Sequence, residues 1–295
     1  MLKKLIKHDF LTTGRVLLPL FLILFGITLL GFILGSTKLF SRPVLVPMGL
    51  ILLIVYFLAL IAIGLITGIY LIVYFYRNHF TSQGYLTFTL PVSPWSLLHS
   101  KVITGFVWTI IEFLLIFGSL FLVLGAAFGF DTLGSGLDFM INGTGTFTLN
   151  GETISVISPS LSELFGLDSR MLLLFIVLLM LSAAFFSVLS YYGSVAIGQL
   201  YAKHKVAGTV LTYLGIYFLT QIVNIILTVV VSIRSVTSLV STGPFDVEAG
   251  MEAFTEFTRS IYSTSLFACI ILYLVLSIAL YVVSGIIMKK RVNLD

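Results

Sequence analysis

Charged residues are scarce in this sequence, and their scarcity excludes an ordinary water-soluble domain. Only 9% of the 295 residues are charged, whereas 59% are hydrophobic. A soluble domain carries roughly 25% charged residues. Cysteine is nearly absent as well, and the single Cys269 excludes internal disulfide bonds and thiolate metal clusters. The composition therefore predicts a membrane protein without disulfide bonds.

Six apolar runs are each long enough to cross a bilayer, since a spanning helix requires about 20 apolar residues. We therefore expect an all-α polytopic fold with six transmembrane helices. Residues 1–128 hold the first three spans, 129–170 form an insertion, and 171–295 hold the last three. The predicted spans are Val16–Leu34, Leu45–Tyr76, Val102–Phe128, Met171–Leu200, Val206–Ile233 and Leu266–Met288.

The distribution of Lys and Arg predicts the orientation of these spans. If both termini are cytosolic, the cytosolic segments hold eleven cations against two acids, and the loops on the other side hold five cations against nine acids. Cationic loops resist translocation, so this excess predicts cytosolic termini. The net charge of +4 is then a topology signal, and no nucleic-acid partner is expected.

The first fifteen residues, "MLKKLIKHDFLTTGR", place apolar side chains on one helical face and lysines largely opposite. This pattern predicts a separate helix in the headgroup layer, with its lysines against anionic lipid. The alternative is a solvated basic tail, whose lysines only help to keep the N-terminus in the cytosol.

Residues 129–170 contain two Asn-Gly pairs, Asn142-Gly143 and Asn150-Gly151, between short runs rich in Thr, Phe and Ile. Asn-Gly supplies the positive φ angles of a two-residue hairpin turn. We expect two or three small antiparallel strands on the extracytoplasmic side. The last outer loop, 232–264, is acidic, and its Ala253–Ile261 part is consistent with a short interfacial helix.

The stretch "SQGYLTFTLPVSPWSLLHSK" interrupts the apolar pattern between the second and third spans. Ser93 is a good helix N-cap, and Pro94 suits the first helical position. Pro91 breaks any preceding helix, because the residue before a proline avoids the helical region. We expect a short amphipathic helix upstream of Pro91, so that residues 78–101 form a structured cytosolic corner.

With these features in this order, the chain resembles the membrane subunit of a type-2 exporter of the ATP-binding cassette (ABC) superfamily, especially the permeases of Gram-positive bacteria. The resemblance rests on "MLKKLIKHDFLTTGR", "FYRNHFTSQGYLTFTLPVSPWSLLHSK" and "AIGQLYAKHK". It implies that the corner is a coupling helix for a cytosolic ATPase subunit, beside an N-terminal connecting helix. The implied coupling residues are Tyr85, Phe88, Pro91, Ser93, Pro94, Trp95 and Leu98.

The same resemblance implies the partners and location of the chain. A second permease subunit, identical or related, would complete a pathway in the bacterial cell membrane for outward movement of an amphiphilic lipid, peptide antibiotic or drug. The sequence has no G-x-x-x-x-G-K-[ST] motif, so it lacks a P-loop for phosphate binding. We expect no cofactor in this chain, with ATP and Mg bound by the partner ATPase.

Glu112 is the one carboxylate within a predicted span, eleven residues past Lys101. It is therefore about 16 Å deep at 1.5 Å per residue. A charge at that depth is costly, so we expect the carboxyl group to be protonated or hydrogen-bonded to another span. Gln221 and Asn224 are candidate partners. Glu112 is either a transport residue or a structural tie.

The fifth span carries polar residues at helical spacing. These face protein or water more readily than lipid. They predict a pathway lining or, alternatively, hydrogen bonds between helices. The residues assigned to this face include Tyr213, Tyr217, Gln221 and Asn224.

Two other function classes stay open. A secondary transporter could use Glu112 as a proton carrier, and a sensor or immunity scaffold could use the outer hairpins to trap a ligand. Intramembrane enzymes and metal sites are disfavoured, because all four histidines lie at predicted cytosolic edges and the sequence has no H-E-x-x-H or G-x-S-x-G motif.

Overall fold

Six of the eight helices in the described residues have 30 or more residues. The computed structural model describes residues 2–37, 45–81, 84, 92–149, 152–157, 160–165, 167–201, 204–240 and 247–290. Its helices are α1 (Leu2–Ser36), α2 (Val46–Phe80), α3 (Pro94–Phe128), α4 (Phe130–Asn142), α5 (Leu161–Phe165), α6 (Ser169–Gly198), α7 (Lys205–Val240) and α8 (Val247–Lys290).

Six of the helices in the described residues, α1, α2, α3, α6, α7 and α8, contain stretches long and apolar enough to cross a membrane. Their outward side chains are apolar: Leu22, Leu65 and Ile225, for example, are 69%, 61% and 61% exposed. Apolar surface of this extent is not tolerated in water but suits lipid. The predicted all-α polytopic membrane architecture is therefore confirmed.

Helix α1 differs from the sequence-based expectation of a separate helix before the first span. It is one continuous helix from Leu2 to Ser36, with Pro19 inside it. Asp9 and Thr13 are buried, so the first turns are held by packing rather than lying apart from the bundle. Its position relative to a membrane surface stays a prediction.

The segment after α3 is more helical than the two Asn-Gly pairs predict. Asn142 ends α4. Gly143, at φ 72°, donates its N–H to the Phe139 carbonyl at 2.9 Å. The positive φ therefore serves a helix C-terminus rather than a hairpin turn, and the interpretation of this pair was wrong.

Strands β1 (Thr144–Leu149) and β2 (Glu152–Ile157) pair antiparallel, and Asn150-Gly151 between them lies outside the described residues.

Helix α8 also corrects an expectation. The Ala253–Ile261 segment is helical, but it belongs to the continuous helix Val247–Lys290 and is not a separate short helix.

The chain forms two compact units. Unit 1 comprises Met1–Phe130, Ala184–Ile216 and Leu276–Asp295, and unit 2 comprises Asp131–Ala183 and Tyr217–Val275. The largest core of unit 1 joins α2, α3, α6 and α8 around Phe75, which stacks on Tyr192 with 4.4 Å between ring centroids. In unit 2, Phe175 packs on Phe267 at 4.6 Å.

Glycines allow α1 to approach α3 closely within unit 1. A Cβ atom on Gly31 would lie 3.0 Å from the Val123 side chain, and one on Gly35 would lie 3.0 Å from the Ala127 backbone. Small residues permit such close packing of helices in a membrane, where van der Waals contact replaces much of the hydrophobic driving force. Helices α1 and α3 therefore pack along most of their length.

Candidate functional site

Helix α3 begins as its sequence predicts. Ser93 has extended backbone angles, and its hydroxyl group accepts a hydrogen bond from the Ser96 N–H at 3.3 Å, with Pro94 at the first helical position. The predicted N-cap is confirmed. Of the other corner residues, Tyr85, Phe88 and Pro91 lie outside the described residues, so the predicted coupling helix stays a prediction.

Trp95 and Leu98 were both assigned to the coupling surface, but the structure places them differently. Trp95 is half-buried and packs against α8, with its ring over Gly285 and 5.5 Å from the Tyr281 ring centroid. Leu98 is completely buried in the unit 1 core. It therefore supports the start of α3 from inside and is not available for direct contact with a partner.

A buried polar cluster joins three helices two turns after the start of α3. We call Asp9, Tyr74, Ser100 and Lys101 the Asp9 cluster. The Lys101 ammonium group donates to Asp9 Oδ1 at 2.5 Å and to the Tyr74 hydroxyl at 3.1 Å. Asp9 also accepts from Tyr74 at 3.0 Å and from Ser100 at 2.8 Å. Both charged side chains are about 95% buried, so each charge depends on the other.

A second contact next to the Asp9 cluster strengthens the junction of α1 and α3. The Trp108 indole N–H donates to the Thr13 hydroxyl at 2.8 Å, and its ring stacks on Phe10 with 4.6 Å between centroids. The first turns of α3 are therefore fixed to α1 by an ion pair, hydrogen bonds and ring stacking together.

The sequence does not predict the Asp9 cluster, since Asp9 and Lys101 are there only two of the charges that set the topology. The available signal was that Asp9 is the one acid in a strongly basic N-terminal segment. This signal does not identify a partner, because an Asp side chain is seldom buried unless a cation pairs with it.

A cavity of about 330 Å³ lies deeper in unit 1, where α2, α3, α6 and α7 meet. We call it the Glu112 cavity. Hydroxyl and carboxyl groups line part of it, and the rest is apolar. Its polar residues are Thr67 of α2, Thr109 and Glu112 of α3, Ser187 and Tyr191 of α6, and Tyr213 of α7.

Glu112 is only 5% exposed, although it lines this cavity. The Thr67 hydroxyl group lies beside its carboxyl group. Among the residues that the structure describes, no group donates a hydrogen bond to Glu112 Oε1. Gly64 leaves space in front of that oxygen, since a Cβ atom there would be 3.8 Å away. Glu112, which lines the cavity, therefore carries a buried acceptor atom that receives no hydrogen bond from the described residues.

The predicted polar residues of the fifth span are divided between the two units. Tyr213 belongs to unit 1 and lies in the Glu112 cavity. In unit 2, Asn224 accepts from the Cys269 thiol at 3.5 Å and is hydrogen-bonded to Tyr273. Tyr217 and Gln221 are exposed. Asn224 is thus engaged within its own unit, and the role of this face as a pathway lining stays a prediction.

Within the part of the chain that the structure describes, no three His, Cys, Asp or Glu side chains are grouped so that they could hold a metal ion.

Comparison with known proteins gives no relative. No protein-family model, curated protein or solved structure matches this chain significantly.

Proposed function

We propose that this chain is the permease subunit of an ABC exporter in the bacterial cell membrane. The observation that carries the proposal is the anchoring of α3 directly after the proline-flanked corner. Within three turns of Ser93, α3 packs against α8 through Trp95 and binds α1 through Lys101. When a bound partner moves the corner, the first turns of α3 would move with it. Their contacts would pass this movement on to α1 and α8.

The path of such a displacement runs from the corner towards the Glu112 cavity. Helix α3 is continuous from Pro94 to Phe128 and carries both Lys101 and Glu112. Eleven residues separate the two, about 16 Å along a helix. Motion at the corner would therefore reach the cavity through one helix. This fits a protein whose motor is a separate ATPase, which would bind ATP and Mg.

The orientation in this proposal follows from charge. Both termini and the corner face the cytosol, because Lys and Arg concentrate there. The β1–β2 hairpin then lies outside the cell. A second permease subunit, identical or related, completes the pathway, and the cargo is an amphiphilic molecule that moves outward between the subunits.

Phe88→Glu tests the docking of the ATPase. Aromatic residues dominate protein interfaces, and a buried carboxylate in their place is costly, so we expect the amount of co-purified ATPase to fall at least about tenfold. The measurement is the yield of an ATP-hydrolysing subunit that co-purifies with the tagged chain from its native membranes.

Phe88→Leu is the matched control, because it keeps an apolar side chain and should retain the ATPase. Both variants must insert into the membrane at wild-type levels. Normal ATPase binding by Phe88→Glu would refute docking at this corner. Cargo movement by the purified chain alone, driven by an ion gradient, would refute the exporter function itself.

A proton-coupled secondary transporter is the second candidate function. The observation in its favour is Glu112, which lines the cavity and whose buried Oε1 accepts no hydrogen bond from the described residues. A carboxyl group in that position could exchange a proton with water that enters the cavity. The ion-gradient experiment above separates this function from the exporter.

A further inference from the structure

The Glu112 cavity combines a carboxylate with aromatic and aliphatic walls. We propose that it binds the protonated amine of an amphiphilic molecule, with the ammonium group on Glu112 and the apolar part along α2. The binding itself does not depend on an ATPase, whereas its interpretation as cargo binding rests on the proposed transport function.

The carboxyl group of Glu112 provides the polar end of the site. A buried acceptor without a donor is unfavourable, and a donor that enters the cavity relieves that cost. An ammonium N–H aimed at Oε1 forms a charge-assisted hydrogen bond, which is roughly twice as strong as a neutral one. It also neutralises a carboxylate that is costly to bury alone. Among ligands, a protonated amine satisfies both requirements with one group.

Aromatic side chains line the same cavity. Tyr191 and Tyr213 lie with 5.7 Å between their ring centroids, and both line the cavity together with Phe113. The faces of Tyr and Phe rings attract organic cations. The hydroxyl groups of Thr67, Thr109 and Ser187 can accept the remaining N–H groups. The wall therefore suits an ammonium group better than a neutral or anionic one.

The apolar side of the cavity accounts for the rest of the ligand. Ile61, Leu65 and Ile69 line the cavity and are also 60%, 61% and 59% exposed on the outside of unit 1. The cavity thus borders the surface of a helix that is apolar enough to face lipid. An amphiphile dissolved in the bilayer can place its apolar part against α2 while its amine reaches Glu112.

An inorganic cation fits this cavity less well. A small metal ion requires several oxygen ligands at short, fixed distances. The Glu112 cavity offers one carboxylate, dispersed hydroxyl groups and a wall that is mostly apolar. Its volume of about 330 Å³ is also large for a single bare ion, and lies in the range of small-molecule sites.

The test measures binding of 4-phenylbutylamine to the purified full-length chain in nanodiscs of phosphatidylcholine. This lipid has neither an N–H donor nor a net charge, so it does not imitate the amine. The probe is cationic at neutral pH, because alkylamines titrate near pH 10. Its uncharged analogue, 4-phenylbutan-1-ol, has nearly the same shape. We expect the amine to bind more tightly than the alcohol. Glu112→Gln should weaken amine binding by about tenfold to a hundredfold and leave alcohol binding unchanged.

A second variant tests the location independently of charge. Gly64→Val adds atoms directly in front of Glu112 Oε1, where a Cβ atom has room. It should weaken amine and alcohol binding alike. Gly118→Val is the matched control, because it makes the same exchange on α3 at a position with no atom within 4 Å of the new Cβ. It should bind both probes normally.

Three kinds of result would overturn the proposal. Equal binding of amine and alcohol to the wild type would mean that Glu112 does not recognise charge. Unchanged amine binding in Glu112→Gln or in Gly64→Val would place the probe elsewhere. Displacement of the amine by sodium but not potassium ions would identify an inorganic cation site. Amine binding by a purified chain that also moves cargo on an ion gradient would, in contrast, keep this inference and refute only the exporter function.

Discussion

Asp9→Ala is expected to lower the free energy of unfolding by about 3–5 kcal/mol, because it leaves a buried lysine ammonium group without its counter-ion. Lys101 is 6% exposed, and its other polar contact is the Tyr74 hydroxyl. The same change removes the contacts of Asp9 with Ser100 and Lys101 of α3 and leaves those of Trp108 with α1 in place. Denaturant titration of the purified protein in micelles measures the loss of stability.

Two further variants separate the buried pair from general charge effects. Lys7→Ala removes an exposed charge from the same helix, and it should change stability by less than about 0.5 kcal/mol. The double variant Asp9→Ala/Lys101→Met should be more stable than Asp9→Ala alone, because it no longer buries an unpaired charge. A double variant as unstable as the single one would show that the ion pair is not the source of the effect.

Gly105→Ala should destabilise the protein by about 1–3 kcal/mol, since it overpacks a completely filled site. A Cβ atom on Gly105 would lie 2.6 Å from the Tyr192 hydroxyl oxygen and 3.0 Å from Val188 Cγ1. Tyr192 and Val188 are 1% and 0% exposed, so neither can move aside into free space. Helices α3 and α6 would have to separate. The midpoint of thermal unfolding in nanodiscs measures the effect.

Gly118→Ala makes the identical exchange on the same helix, where the new Cβ atom meets no other atom within 4 Å. It should be stabilising, by about 0.5–1 kcal/mol, because alanine is the better helix former. The two variants are therefore expected to change stability in opposite directions. Equal effects would mean that α3 and α6 are not packed closely at Gly105.

The number of long helices could be predicted from the sequence because lipid leaves a chain few alternatives. A backbone that crosses a bilayer must satisfy its own hydrogen bonds, so each apolar run of sufficient length becomes a helix. The helix ends were less predictable. Helix α1 starts at Leu2 and not at Val16, and α8 starts at Val247 and not at Leu266. Hydropathy indicates which residues of a helix can face lipid. In α1, packing of the residues before Val16 extends the helix beyond its apolar run.

Local chemistry was predictable where it involves neighbouring residues. Ser93 and Pro94 start α3 because a cap and its helix are adjacent in sequence. Asn142-Gly143 was misinterpreted, since the same positive φ angle serves a hairpin turn and a helix end. Only the surrounding structure decides between the two.

The candidate sites were the least predictable part, because they depend on contacts between distant residues. Asp9 and Lys101 are 92 positions apart, and no local pattern pairs them. Glu112 was recognisable as a carboxylate in an apolar run, but its neighbours Gly64 and Thr67 belong to another helix and carry no signal of their own. Tyr213 was predicted on a polar face, and the structure brings it into the same cavity as Glu112.

Pro19 gives α1 a preferred bending point. Proline has no N–H to donate to the carbonyl of Arg15, so α1 lacks one backbone hydrogen bond there. On one side of this weak point, Asp9 fastens the helix to Lys101; on the other, Gly31 and Gly35 seat it against α3. If the basic N-terminal end of α1 is tilted, the helix should therefore bend at Pro19. The half that contains Gly31 and Gly35 would keep its packing against α3.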